Sequence, residues 1–205
     1  MATEASIFKF STVGGFTSRT RYSSMLAGNP ALVDPSGSYE SISTVTVGSS
    51  GAGTVDFTNI SSNYTHLQLR GICRSSYLGN SDYIKLRFNN DYGSNYSDHY
   101  VRGDGTSATA GAYTSINTIY IDPISASNLS SGNFGVFVMD IFDYSTSGQK
   151  YKTTRTLCGY DANGSGIVNL YSGLWQNTNA ITSISLSTNY GNIAQYSSFA
   201  LYGVK

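Results

Sequence analysis

Short segments in which apolar and polar residues alternate run through most of the chain. In the clearest of them, Ile84, Leu86 and Phe88 alternate with basic residues. A period of two places the apolar side chains on one face of an extended strand and the polar ones on the other. About ten such segments, separated by Gly, Asn and Ser, follow one another over residues 39–205 and predict an all-β protein.

Three further segments refine the strand assignment. Residues 134–142 are apolar on both faces, which is typical of a central strand that is covered on both sides. Ile119 and Ile121 predict a strand that ends at Pro123, because proline lacks the N–H that a strand donates. Residues 103–111 predict a flexible connection. No long amphipathic helix is indicated, so we predict an antiparallel β-sandwich of jelly-roll type.

Residues 1–38 differ from the rest of the chain because they show no sustained alternation and contain a polar, basic stretch from Thr17 to Tyr22. We predict an extended N-terminal arm over residues 1–38 and a sandwich domain over residues 39–205. The side chains of the arm need partners in the body of the protein or in a neighbouring subunit. The residues predicted to anchor the arm are Phe8, Phe10, Phe16, Arg19, Arg21, Met25 and Leu26.

The charge balance narrows the classes of function. Lys and Arg together number 12, as do Asp and Glu, so the formal net charge is zero. A protein that binds nucleic acid needs an excess of basic residues, and we therefore predict no nucleic-acid partner. No apolar run reaches membrane-spanning length, which predicts no membrane insertion, and the N-terminal residues predict no secretory signal.

The sequence offers few residues for catalysis or for metal binding. It has two histidines and none of the common catalytic motifs, so we predict a non-enzymatic protein without cofactor or metal. Residues 161–166 match the opening of a calcium loop, but Ser172 stands where that loop needs a carboxylate. Cys73 and Cys158 match no metal spacing, and we predict buried core residues, with a disulfide as the alternative.

Tyrosines crowd the middle of the chain among Asn, Ser, Gly and Asp. Tyrosine gives a large contact area at a small cost in conformational entropy, and it is therefore common in binding surfaces. One hypothesis is a ligand or receptor surface that suits a host glycan, and the alternative is that these tyrosines cap the ends of sandwich strands. The residues assigned to this surface are Tyr92, Tyr96, Asp98 and Tyr100.

Six runs of the sequence, none of them catalytic, carry a family resemblance. They lie at residues 24–31, 39–47, 64–71, 86–89, 159–161 and 195–205. The last run is the most distinctive. Together they resemble virion structural proteins of tailed phages, of the marine and cyanobacterial type, which are tail-fibre-like or decoration-like.

The resemblance implies a virion component that is assembled in the host cytoplasm and whose partners are other tail or capsid proteins. We expect a tail-associated or fibre-like part that docks through its arm and presents the sandwich outward. We also expect a homo-oligomer, most simply a trimer, because closed symmetry would bury the surplus aromatic residues. The alternatives are a capsid decoration protein, a host-glycan-binding module and a hydrolase that acts on surface polysaccharide.

Overall fold

The computed structural model describes residues 38–205. The predicted arm lies outside the described residues, apart from Ser38, and so do all seven side chains predicted to anchor it. The described residues form twelve β-strands, which confirms the all-β prediction. Among residues 38–205, no helix has the length and the apolar character needed to cross a bilayer.

The strands pair antiparallel with their neighbours and form two sheets. In chain order the strands are β1 (Tyr39–Thr46), β2 (Thr54–Phe57), β3 (His66–Cys73), β4 (Ser81–Phe88), β5 (Tyr96–Gly103), β6 (Ala108–Ile116), β7 (Ile119–Ser125), β8 (Gly135–Phe142), β9 (Lys152–Asp161), β10 (Gly166–Trp175), β11 (Ile184–Thr188) and β12 (Ser198–Val204). Most of them show the burial alternation that a period of two predicts, and β4 is the most regular case.

The order of the strands is that of a jelly roll. The larger sheet has the order β1-β12-β3-β8-β9-β10-β5-β6, and the smaller sheet has the order β2-β11-β4-β7. The four strands β1-β12-β3-β8 and the four strands β2-β11-β4-β7 together give the two layers of an eight-strand jelly roll, in which the chain passes repeatedly from one sheet to the other. The predicted β-sandwich of jelly-roll type is confirmed.

Two inserted hairpins make the sheets unequal. The hairpin β5–β6 lies between β4 and β7 in the chain, and the hairpin β9–β10 lies between β8 and β11. Both hairpins join the larger sheet beyond β8, so that this sheet has eight strands and its partner has four. The edge strand β7 of the smaller sheet packs against β9 and β10. The extension formed by β5, β6, β9 and β10 therefore reaches past the edge of the smaller sheet.

The hydrophobic core lies between the two sheets. Leu69 on β3 and Leu86 on β4 have no exposed surface, because the inward positions of both sheets meet there. Trp175, the last residue of β10, is 1% exposed. Its indole N–H donates a hydrogen bond to the Asp91 carboxylate at 2.8 Å, which satisfies the one polar group of the buried ring.

Two strand predictions are wrong. Residues 103–111, predicted as a flexible connection, hold a turn and the first half of β6, whose small and polar residues suit an exposed edge strand. Pro123 does not end the strand that contains Ile119 and Ile121, because β7 continues to Ser125. The proline is tolerated because β7 is an edge strand and its pairing with β4 is irregular at this point.

The packing of the core predicts the effect of cavity-forming substitutions. Leu86→Ala removes a fully buried side chain, and we expect it to lower the free energy of unfolding by about 2–5 kcal/mol. The matched control is Leu78→Ala, since Leu78 is 83% exposed, and we expect a change within about 0.5 kcal/mol. Urea unfolding followed by tryptophan fluorescence measures both. Equal effects of the two substitutions would contradict the assignment of the core.

Candidate functional site

The outer face of the larger sheet carries a continuous group of apolar side chains. Cross-strand pairing places them in two neighbouring rows that run across β3, β8, β9, β10 and β5. We call this group the apolar face. Its residues are Ile72, Val101, Val136, Val138, Leu157, Val168 and Leu170.

The apolar face is exposed among the described residues, with each of its seven side chains between 40% and 57% exposed. Scattered apolar residues are ordinary on a protein surface, whereas a contiguous group of them marks a site of interaction. The prediction that residues 134–142 are covered on both sides is wrong for the described structure. Phe137, Met139 and Ile141 are buried, but Val136 and Val138 on the opposite face of β8 are not. The sequence of β8 thus suits a cover that residues 38–205 do not supply.

Two glycines give the apolar face a hollow. Gly103 and Gly159 occupy the same row as Val136 and Val168, and the hollow has a volume of about 600 Å³. The fold requires Gly159, because a Cβ there would lie 2.4 Å from the carbonyl oxygen of Ile167. The fold makes no such demand at Gly103, where the nearest atom would lie 3.8 Å from a Cβ.

Charged residues border the apolar face at the two ends of its strands. Asp104 and Asp161 lie at the end where the β5–β6 and β9–β10 turns close, and both are exposed. Arg155 and Asp140 form a cross-strand pair toward the other end, and Arg70 continues the row of Val138 and Leu157 on β3. One rim is therefore acidic, whereas the other carries the oppositely charged Arg155 and Asp140, and Arg70 lies at the β3 side of the face.

The other face of the extension carries a continuous series of tyrosine rings, which we call the tyrosine cluster. Successive ring centroids lie between 4.8 and 6.0 Å apart. The series joins tyrosines of the extension to tyrosines of β4, β7 and the loop after β11. In order of contact, the rings are Tyr77, Tyr190, Tyr83, Tyr120, Tyr113, Tyr100 and Tyr171.

A cavity of about 110 Å³ opens within the tyrosine cluster. It is lined by Tyr83, Tyr113, Tyr120, Tyr171 and Asp122. Burial raises the pKa of all four phenols, that of Tyr83 to about 12, so they remain hydrogen-bond donors at neutral pH. Burial also raises the pKa of the Asp122 carboxyl, although the positive charge of Arg102 opposes this shift. The cavity therefore combines aromatic surface, hydroxyl donors and one carboxyl acceptor.

Asp98 lies next to this cavity and is fully buried. Its Oδ2 accepts the backbone N–H of Tyr120 at 2.9 Å, and its Oδ1 has no partner among the described residues. Gly173 leaves room for it, since a Cβ there would lie 2.8 Å from Oδ1. Burial raises the pKa of the Asp98 carboxyl to about 7, and the hydrogen bond from Tyr120 opposes the shift.

The four residues predicted to form one ligand surface do not lie together on the surface. Tyr92 is exposed, with the Arg87 guanidinium 4.8 Å from its ring centroid. Tyr96 is buried, with its ring stacked against the indole ring of Trp175, and Asp98 is buried as well, so their assignment to an exposed surface is wrong. Tyr100 is half-buried and belongs to the tyrosine cluster. Alternation along β5 explains the division, because Tyr96, Asp98 and Tyr100 share its inner face.

Sequence reasoning did not assign the residues that line the cavity to the ligand surface. Tyr83 alternates with Ile84, and Tyr120 lies between Ile119 and Ile121, so each follows the polar phase of its strand. The signal in the sequence is the position of these tyrosines. A large aromatic ring at a position that alternation assigns to the solvent side indicates a surface contact or a ligand site. Which strands bring such rings together depends on the inserted hairpins, and local patterns do not encode that pairing.

The stretch that resembles a calcium loop and the two cysteines have structural roles. Residues 161–166 form the β9–β10 connection, in which Asp161 Oδ1 accepts the N–H of Asn163 at 2.7 Å. Cys73 and Cys158 are buried free thiols, as the core prediction had them, and burial raises the pKa of both. Within the part of the chain that the structure describes, no group of three or more His, Cys, Asp or Glu side chains is placed to hold a metal ion.

Comparisons with known proteins identify no family for this chain. No protein-family model, no curated protein and no solved structure matches the chain.

The buried Asp98 carboxyl predicts how stability depends on pH. In an unfolded chain an aspartate has a pKa of about 3.9, so between that pH and about 7 the folded protein holds a proton that the unfolded chain releases. The free energy of unfolding therefore falls as the pH rises through this range. We expect Asp98→Asn to make the fall smaller, because the amide keeps the acceptor for Tyr120 and carries no charge.

Urea unfolding at a series of pH values measures this effect. The matched control is Asp104→Asn, because backbone N–H groups of Ser107 and Thr106 lower the pKa of the exposed Asp104 carboxyl. The Asp104 carboxyl therefore affects the free energy of unfolding at a lower pH than the Asp98 carboxyl does. A wild-type slope that persists in Asp98→Asn would contradict the assignment.

Proposed function

We propose that this chain is a non-enzymatic structural component of a tailed-phage virion, tail-associated or fibre-like, that is held in the particle by protein–protein contacts. The observation that carries the proposal is the apolar face, whose seven side chains are about half exposed and adjoin one another across five strands. Burying such a surface against a neighbour is favourable at about 25 cal/mol for each Å² of apolar area. The virion setting comes from the sequence resemblance.

Some of the described carboxylates have structural roles, which supports a structural function. Asp91 accepts hydrogen bonds from Trp175, Asn95 and Gly93, and Asp104 accepts them from its own turn, so these carboxylates stabilise local structure. The sandwich gives a rigid body, and the apolar face gives it a place to dock. A capsid decoration protein remains the alternative within the same proposal, since it needs the same kind of surface.

Particle composition tests the proposal. Quantitative mass spectrometry of purified particles, with the major capsid protein as reference, is expected to find this chain at a few dozen copies or fewer, as for a tail part. Hundreds of copies would favour the decoration alternative, and absence from the particle would overturn the proposal. We also expect Leu157→Asp to be excluded from particles, whereas the matched control Leu78→Asp is incorporated, because only Leu157 lies on the apolar face.

A second candidate function, binding of a host-surface glycan, rests on a separate observation. The cavity in the tyrosine cluster offers aromatic ring surface for stacking on a sugar, and its phenols and Asp122 offer donors and an acceptor for sugar hydroxyls. Such a combination is typical of small-ligand sites, which place a few polar groups within an apolar wall. This function is compatible with the first, because the cavity and the apolar face lie on opposite faces of the extension.

A glycan-binding assay with immobilised host polysaccharide tests the second function. We expect Tyr113→Ala to weaken binding about tenfold or more, because Tyr113 lines the cavity and remains 41% exposed on an edge strand. Tyr151→Ala is the matched control, since Tyr151 is similarly exposed and lies outside the cluster. If the wild-type chain binds no glycan, or if both variants bind equally well, the cavity is not a glycan site.

A further inference from the structure

We infer that the apolar face packs against the apolar face of a second copy of this chain, about a twofold axis perpendicular to the strands at the level of Cys158. The inference rests on the proposed function, names the neighbour that covers the face, and replaces the trimer expected from the sequence with a pair. A twofold contact must be complementary to itself, because the same surface occurs on both sides. The relief and the charges of the apolar face meet this requirement.

After such a rotation, the surface shapes of the two apolar faces are complementary at the glycine positions. An axis across the strands at Cys158 places each strand over the same strand of the second copy, running in the opposite direction. Leu157 then faces Gly159 of the second copy, because the two positions are equally far from Cys158 along β9. On β5, Val101 faces Gly103 in the same way. The Leu157 and Val101 side chains of one copy thus enter the hollow that the glycines leave in the other.

Gly103, the last residue of β5, leaves room for this arrangement. A Cβ at Gly103 would have its nearest neighbour, Val168 Cγ1, at 3.8 Å, so nothing within the described residues fills the position. The backbone there does not need glycine, because Gly103 is not among the positions of positive φ. A side chain from a second copy can therefore approach the β5 backbone closely at this point.

One pair of rim charges also matches under the same rotation. Arg155 and Asp161 are equally far from Cys158 on β9, so Arg155 of each copy lies over Asp161 of the other. The pair of copies therefore has two contacts between opposite charges, related by the axis. A twofold axis parallel to the strands, between β9 and β10, would also place a valine on each glycine, but it would place Leu157 on Leu170 and bring both acidic rims to the same end. The charges thus favour the axis across the strands.

The size of the face sets the expected affinity. Together with its charged rims, it covers five strands and about six residues along them, from Arg155 to Asp161, roughly 24 by 20 Å. Two copies would bury about 1,000 Å² in total, which is the lower limit for a specific interface. We therefore expect a reversible dimer with a dissociation constant in the micromolar range. The zero net charge of the chain means that no long-range repulsion opposes the pairing.

Sedimentation equilibrium of the full chain at about 1–100 µM tests the pairing. We expect a monomer–dimer equilibrium for the wild-type chain and at least a tenfold weaker one for Leu157→Asp, which places a charge in the interface. Leu78→Asp, the same substitution outside the apolar face, is expected to leave the equilibrium unchanged. Urea unfolding of each variant shows whether it is folded.

Gly103→Val provides a test that loss of folding cannot imitate. The added side chain has open space in the single copy, so stability to urea should be unchanged or higher. In the pair it would occupy the volume that Val101 of the second copy needs, and we expect dimerisation to weaken about tenfold or more. A Gly103→Val chain that is stable and dimerises as strongly as the wild type would overturn the inference.

Disulfide trapping tests the direction of the axis. Arg155→Cys chains mixed with Asp161→Cys chains are expected to crosslink on addition of an oxidant, whereas Arg155→Cys chains alone are not. The native thiols of Cys73 and Cys158 do not interfere because both are buried. Crosslinking of Arg155→Cys chains with one another would overturn the inference. So would a wild-type chain that sediments as a monomer, or as a trimer, at concentrations up to about 100 µM.

Failure of this inference is separable from failure of the proposed function. If the chain is monomeric in solution and Leu157→Asp is nevertheless excluded from particles, the apolar face docks on a different virion protein. The proposed function then stands and the self-pairing is overturned. If Leu157→Asp is incorporated normally while the wild-type chain dimerises, the pairing stands and the docking assigned to the particle is overturned.

Discussion

The unequal size of the two sheets is the constraint on which the rest of this structure depends. A sheet has two faces, and an apolar face is stable only when something covers it. Four strands of the smaller sheet cover the jelly-roll part of the larger one, but the inserted hairpins β5–β6 and β9–β10 extend the larger sheet past that cover. Other groups must therefore cover the inner side of the extension and the whole outer face of the larger sheet.

Amphipathic tyrosine side chains cover the inner side of the extension. The Tyr171 ring packs against Tyr100 and the Tyr113 ring against Tyr120, and Tyr171, Tyr113 and Tyr120 all line the cavity. Aliphatic side chains would leave a gap at the open edge of β7, whereas tyrosine tolerates an environment that is dry on one side and wet on the other. The same arrangement buries Asp98 and Asp122, whose pKa values rise because burial disfavours their charged forms.

The outer face is left to interactions beyond residues 38–205. Leu157, Leu170 and their neighbours occupy positions that a solvent-facing strand normally gives to polar residues. Polar residues such as Arg155 and Asp140 return in the same strands one step further toward the rim. The change from apolar to charged positions along single strands resembles the usual anatomy of a protein–protein contact, which has a dry centre and a polar border.

The sequence by itself determined the strands and the core, because a period of two fixes which side chains share a face. Ile84, Leu86 and Phe88 were assigned correctly for that reason, and so was the jelly-roll sandwich. Tertiary structure alone decided which faces meet. Nothing local distinguishes Phe137 from Val138, yet one lies in the core and the other is exposed. Nor does any local signal place Tyr113 beside Tyr120, since that contact follows from strand pairing between distant hairpins.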